Sequence, residues 1–219
     1  GLPAEGHLTT ARDLAILAQA IIRDYPKHYE IYSEKEFTFN KIRQTNRNKL
    51  LWSDSTVDGL KTGYTEAAGY CLVASAKKDG QRLISVILGA TSLDARAIES
   101  QKLITYGMRF FETHSLYDAQ ESLGKARVWG GMEDYIELVL EQELAVTIPR
   151  GQAKYIKATM DINKGIEAPL AAGDVLGKVI ITLDTDVILE QNLVASQDMV
   201  HGGFIKGLVD GVTRVIMSE

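Results

Sequence analysis

The chain has 219 residues, 45% of them hydrophobic and 24% charged, with a net charge of −5 at neutral pH. That length holds one large or two modest domains, and the balance is that of a globular protein. The acidic balance gives no reason to expect a nucleic acid as partner, and no run reaches the ~18 apolar residues of a transmembrane helix. A single cysteine, Cys71, excludes an internal disulfide and, in its apolar run, reads as a small hydrophobe.

Thr10-Ala11-Arg12-Asp13 has the spacing of a helix capping box. Leu14, Leu17, Ala18 and Ile21 follow on one helical face, which Pro26 ends. Glu36 to Asn40 alternates as a short strand, and Arg43, Arg47 and Lys49 then stand in a polar stretch that reads as a solvated basic loop. The stretch around which the chain is organised is Val57-Asp58-Gly59-Leu60-Lys61-Thr62-Gly63-Tyr64-Thr65. Extended, it places Lys61 and Gly63 on one side and Thr62 on the other. Lys61 offers a positive point charge and Thr62 a hydroxyl donor, while Gly63 leaves room for a ligand beside the backbone. Together they suit an anionic group.

Tyr70 to Ala76 reads as a buried strand, Lys77-Lys78-Asp79-Gly80 as a hairpin turn, and Arg82 to Ala90 as the returning strand. A three-stranded antiparallel arrangement is expected, carrying Lys61 and Thr62 on a rigid element. Ser92 to Phe111 reads as a loop entering a helix whose apolar face is Ile98, Leu103, Tyr106, Gly107, Phe110 and Phe111. Arg96, near its start, reads on residue type alone as a surface arginine.

The character changes near Thr113. His114 to Lys125 is polar and loop-like, and short β-type runs follow at residues 126–129, 135–140, 145–148, 156–162, 178–183 and 187–194. Gly130-Gly131, Pro149-Arg150-Gly151 and Asp184-Thr185-Asp186 separate them, a spacing that suggests a small all-β sandwich. No cluster of acids, histidines or cysteines there could carry chemistry, and His7, His28 and His114 read as surface residues. Beyond His201-Gly202-Gly203, taken as a hinge, Phe204, Ile205, Leu208, Val209, Val212, Val215 and Ile216 share one helical face.

Arg43-Gln44-Thr45-Asn46-Arg47-Asn48-Lys49-Leu50-Leu51-Trp52, the run from Val57 to Gly63, and Ala67-Ala68-Gly69-Tyr70 together closely resemble the D-alanyl-D-alanine carboxypeptidases. These are the low-molecular-mass penicillin-binding proteins that trim peptidoglycan stem peptides. Lys-Thr-Gly is one of three motifs of penicillin-binding proteins and class A β-lactamases. The resemblance runs from Gly1-Leu2 to Arg109-Phe110-Phe111-Glu112 and continues more weakly over Thr147 to Gly151 and Ala168-Pro169-Leu170. The family's Ser-x-x-Lys and Ser-x-Asn motifs precede the segment that opens this chain, so the chain is expected to be the C-terminal portion of such an enzyme. Ser75-Ala76-Lys77-Lys78 and Ser122-Leu123-Gly124-Lys125 fit Ser-x-x-Lys in spacing, but neither opens a helix, and both read as chance matches.

The resemblance implies an α/β fold followed by an all-β one. Residues 1–112 would be the C-terminal part of a transpeptidase-like, β-lactamase-like domain, 113–200 a β-sandwich, and 201–219 an amphipathic helix on the inner membrane. It implies hydrolysis of the terminal D-alanine through an acyl-serine, blocked by penicillin, with the nucleophile outside this chain. Lys61, Thr62 and Gly63 would form the catalytic strand, with Lys61 and Thr62 orienting the carboxylate. Arg96 would help bind that terminal carboxylate, since a planar guanidinium can hold it bidentately. Arg47 would support the groove, and Tyr64 would line it and lend its backbone N–H to the oxyanion site. Several relatives have histidine where this chain has Tyr64. No metal or organic cofactor is expected. The implied partners are peptidoglycan pentapeptides ending in D-alanyl-D-alanine, β-lactam antibiotics, the inner-membrane surface and the N-terminal segment that carries the serine, placing the protein on the periplasmic face of that membrane. A serine β-lactamase and a non-catalytic peptidoglycan-binding or scaffolding module share part of this description.

Overall fold

Thr10 accepts a hydrogen bond from the Asp13 amide at 3.1 Å and so caps α1 (Ala11–Asp24). This is a computed structural model, and it describes residues 3–203. On α1 the inward stripe is Leu14, Ala18, Ile21 and Ile22, packed with Tyr29, Leu60 and Val73. Leu17, expected on that stripe, is 56% exposed, because positions 14, 18, 21 and 22 close a narrower helical face without it. Pro26 does end α1, and it opens a further short turn, α2 (Pro26–Tyr29).

The expected strand at Glu36 is β1 (Glu36–Phe39), but it does not lead into a loop. Asn40 and Lys41 both adopt positive φ, 49° and 63°, and β2 (Ile42–Thr45) returns antiparallel against β1. Two successive left-handed residues are what a tight hairpin turn requires. After the short helix α3 (Leu50–Ser53) comes the main sheet of this part of the chain: β3 (Val57–Thr65), β4 (Gly69–Lys78) and β5 (Gln81–Ala90), in the order β3-β4-β5. Asp79-Gly80 makes the expected β4–β5 turn, with φ of 49° and 81°. Leu72, Ala74 and Ala76 of β4 join Leu50, Leu51, Val57 and Ile104 in one buried cluster. Ser75, a spacing match to Ser-x-x-Lys, lies in the middle of β4 and is fully buried, and Ser122 starts a strand rather than a helix.

Ser92 accepts from the Ala95 amide at 3.0 Å and caps α4 (Leu93–Phe110). Its buried face is Arg96, Ser100, Ile104 and Gly107. Ile98, Leu103, Tyr106 and Phe110, expected to be buried, are each about half exposed. Polar residues occupy the inner face because the sheet supplies partners for them. The Ser100 hydroxyl lies 2.8 Å from that of Ser85 on β5, and the Arg96 guanidinium meets backbone carbonyls.

The chain divides into two compact units, Gly1–Glu112 and Thr113–Glu219. The second is built of strands. The stretch expected to be loop from His114 to Lys125 instead holds most of β6 (Phe111–Tyr117) and the start of β7 (Ser122–Arg127), and His114 is half-buried there. β8 (Tyr135–Val139), β9 (Leu144–Pro149), β10 (Ile156–Ile162), β11 (Val175–Leu183) and β12 (Asp186–Ala195) follow. The five-stranded sheet has the order β10-β11-β12-β8-β7, and β6 pairs with β9. Alternation along β8 and β9 buries Ile136, Leu138, Leu144, Val146 and Ile148 against Val179, Ile181 and Leu193. His201 and Gly202, taken as part of a hinge, are held: His201 bridges Gly131, and the Gly202 amide donates to the Gly130 carbonyl at 2.8 Å. The amphipathic face expected from Phe204 onward lies outside the described residues.

Candidate active site

β3 is an edge strand, paired with β4 alone among the described residues. Its other edge carries backbone donors and acceptors that can take an extended peptide. Beside it lies a cavity of about 710 Å³, lined by Thr62, Gly63 and Tyr64 of β3, Tyr70 of β4, Leu93 and Arg96 of α4, and by Thr45, Asn46, Arg47, Lys49 and Trp52. Thr62 and Tyr64 therefore point to the cavity side. Lys61 is not among its lining residues. It is exposed, and its Nζ donates to the Thr62 carbonyl at 2.5 Å.

The Asn-Arg-Asn segment is presented by its two asparagines. Asn46 Nδ2 donates to the carbonyls of Tyr32 and Glu34, at 3.2 and 3.0 Å, and its Oδ1 accepts from the Asn48 amide at 3.0 Å. Asn48, 1% exposed, donates from Nδ2 to the Gly59 carbonyl at 2.9 Å. Arg47 stands exposed between these anchors at the cavity rim. Residue type alone makes Asn46 and Asn48 members of a polar stretch, and the resemblance singles out Arg47 between them; the anchoring role of the two asparagines is signalled only by a polar side chain on each flank of one arginine.

Arg96 is buried beneath the cavity rather than on the surface. Nη1 donates to the carbonyls of Gly63, at 3.1 Å, and Cys71, at 3.3 Å, and Nη2 donates to that of Arg47 at 3.4 Å. Its guanidinium also lies 5.8 Å from the Tyr70 ring centre. The arginine expected to fork a carboxylate thus first ties β3, β4 and the Arg47 segment together. Burial draws its pKa below the usual guanidinium value; the nearby Arg47 charge acts in the same direction, and the fields of Cys71 and Tyr70 oppose it. A guanidinium remains charged through such a shift.

Tyr64 and Tyr70 are cross-strand partners with ring centres 4.4 Å apart, and Trp52 and Leu93 are the other large apolar lining residues. Lys49 at the rim is ion-paired with Asp94 at 2.5 Å. Arg47 and Arg96 leave the cavity positively charged, so the site combines a cationic floor and rim, a hydroxyl at Thr62 and an aromatic wall. That composition fits a small carboxylate with an apolar substituent. Among the described residues no group of acids, histidines or cysteines could hold a metal ion.

The family model described as D-alanyl-D-alanine carboxypeptidase matches residues 1–92, and that of the penicillin-binding protein 5 C-terminal domain matches residues 111–201. The chain is 44% identical over 212 residues to D-alanyl-D-alanine carboxypeptidase DacA of Escherichia coli, covering 96% of this chain and 53% of that protein. It is 46% identical over 214 residues to DacC of the same organism, covering 97% and 54%. Among solved structures it resembles penicillin binding protein 5 from Haemophilus influenzae, with a TM-score of 0.81 and 43% identity over 92% of this chain and 59% of that one. The chain spans about half the length of the curated relatives it matches. With the two family models matching residues 1–92 and 111–201 in succession, and with the identity to DacA and DacC running along nearly all of its length, the chain belongs to the D-alanyl-D-alanine carboxypeptidase family.

Proposed function

We propose that the complete protein is a serine-type D-alanyl-D-alanine carboxypeptidase acting on peptidoglycan stem peptides, and that β3 and its cavity form the substrate-binding half of its active site. The observation that carries this reading is a Lys-Thr-Gly motif on an open strand edge beside a positively charged cavity. The stem peptide lies along the β3 edge. Thr62 donates its hydroxyl to the terminal carboxylate, Lys61 and Arg47 supply charge, and Arg96 adds its field from below. The Tyr64 backbone N–H serves the oxyanion site. The nucleophilic serine, outside this chain, attacks the carbonyl between the two D-alanines. The terminal D-alanine leaves with the proton taken from the serine, and water then hydrolyses the acyl-enzyme. β-Lactams acylate the same serine.

In this reading residues 1–112 complete the penicillin-binding domain, 113–200 form a β-rich accessory domain, and the tail attaches the protein peripherally to the periplasmic face of the inner membrane. No described helix is long and apolar enough to cross a membrane.

Intact mass of the complete polypeptide after incubation with penicillin tests the proposal. A single adduct is expected, forming on the order of 100-fold more slowly in Lys61→Ala, the scale of losing one charge-stabilising donor. Absence of any adduct on the parent defeats the enzymatic reading and leaves a binding module. Rapid loss of the adduct would indicate a β-lactamase instead.

A further inference from the structure

Just before the Lys-Thr-Gly motif, β3 carries one residue too many. Val57 pairs with Ala76 and Gly59 with Ser75, so Asp58 bulges out of the ladder without a partner on β4. The bulge, with two residues between it and Lys61, bears on the motif's orientation. Side chains alternate along a strand, and a shift of one residue turns every following side chain to the opposite face. With Asp58 extruded, Thr62 and Tyr64 face the cavity and Lys61 does not.

The extruded residue is fastened from two elements, α2 and β5. Asp58 Oδ1 accepts from the Tyr29 hydroxyl at 2.7 Å and from Arg82 Nη1 at 3.0 Å, and Oδ2 accepts from Arg82 Nη2 at 2.8 Å. Arg82 reaches from β5 across β4, and on the way donates to the Ser75 hydroxyl at 2.6 Å. Tyr29 can approach because the next residue is glycine: a Cβ on Gly59 would stand 2.5 Å from its hydroxyl oxygen. From the other direction Asn48 holds the Gly59 carbonyl. These side chains lie outside the cavity lining, so binding of a carboxylate does not require them.

We infer that Tyr29, Asp58 and Arg82 are positioning residues: they lock the bulge that sets the register of the Lys-Thr-Gly strand, and so aim Thr62 into the cavity for the acyl transfer. This rests on the function proposed above. Bulges commonly re-aim a side chain beside an active site, and here the re-aimed carboxylate is the fastening point.

The test uses the complete polypeptide, with Asp58→Asn, Arg82→Gln and the double variant, each held well below its own melting temperature. Two quantities are read: the rate of penicillin acylation by intact mass, and amide hydrogen exchange of the segment from Leu60 to Thr65. Each single variant is expected to acylate ~10- to 100-fold more slowly, the loss caused by a misplacement of about 1 Å at a reacting group. Exchange of β3 should rise while that of the β4–β5 turn stays unchanged. The double variant should be no slower than the worse single, because both act through one lock. Acylation within about twofold of the parent in both single variants overturns the inference, whatever their melting temperatures. Should Asp58→Asn fail to fold, Tyr29→Phe, which removes one donor and no charge, is read against the same limits. A parent that takes up no penicillin defeats the proposed function instead, and unchanged β3 exchange in the variants then overturns the lock on its own.

Discussion

At Arg96, charge and structure compete for the same atoms. A guanidinium able to hold a carboxylate is already donating to the carbonyls of Gly63, Cys71 and Arg47. Lysine would keep the charge but replace the planar fork with a single point. Arg96→Lys is therefore expected to cost ~1–3 kcal/mol in chemical denaturation, because buried carbonyls lose their donors, and to slow penicillin acylation as well. An arginine serving only as a free ligand for the carboxylate would leave the denaturation midpoint in place. Tyr64 gives a second test. Its ring packs against that of Tyr70, tilted by 33° with centres 4.4 Å apart, and the lining residues of the cavity include no histidine. Tyr64→His should add an inflection near pH ~6.5 to the acylation profile of the parent, since imidazole is the side chain that ordinarily titrates there. The ligand-type residues were legible in the sequence because lysine, threonine and glycine in a row suit one chemistry. The burial of Arg96 was not, because residue type places arginine at the surface and only the carbonyls of three distant segments reverse that.

Between elements, the contact of Tyr29 with β3 shapes stability. Gly59→Ala would drive a methyl into the Tyr29 ring, with Cβ 3.0 Å from Cζ, and is expected to destabilise by ~1–3 kcal/mol, the usual cost of overpacking. The same tyrosine predicts an alkaline response. Burial first, and then its hydrogen bond to the Asp58 carboxylate, push its pKa well above the ordinary tyrosine value, against smaller opposing effects of Ser75 and Arg82. The folded state thus holds the phenolic proton more tightly than the unfolded chain. This contribution is complete below the unfolded value of about 10 and is lost as pH rises from there through the folded value. Melting temperature measured from pH ~8 upward should fall more steeply above pH ~10 in the parent than in Tyr29→Phe, which has no such proton. Equal slopes would mean that Tyr29 does not titrate differently in the two states. Alternation and turn chemistry made β3, β4, β5 and the Asp79-Gly80 hairpin readable in advance. The inner face of α4 was misread from its apolar residues, since Ser100 and Arg96 are buried by partners on the sheet that no helical periodicity reveals. The β1–β2 hairpin was missed for a related reason: Asn40-Lys41 lacks the glycine that usually marks such a turn.

Over the whole molecule, the question is whether the second unit takes part in the chemistry. Every described residue lining the cavity beside β3 belongs to Gly1–Glu112. The second unit has a core of its own, in which Leu138, Leu140, Leu144, Ile148, Ile181 and Leu193 are at most 1% exposed. A domain with its own core can unfold as its own unit. Leu138→Ala removes packing atoms from the middle of that core, and is expected to cost ~2–5 kcal/mol, the range for a buried leucine truncated to alanine. The loss should appear in calorimetry as a lowered transition for the β-rich unit. At a temperature where both units remain folded, the rate of penicillin acylation of the complete polypeptide should equal that of the parent, because no atom of the substrate-binding half has been moved. A rate that falls together with the calorimetric transition would show that the fold of the β-rich unit governs the geometry of β3, and would make the second unit part of the catalytic apparatus. An unchanged rate leaves it free for attachment or partner binding.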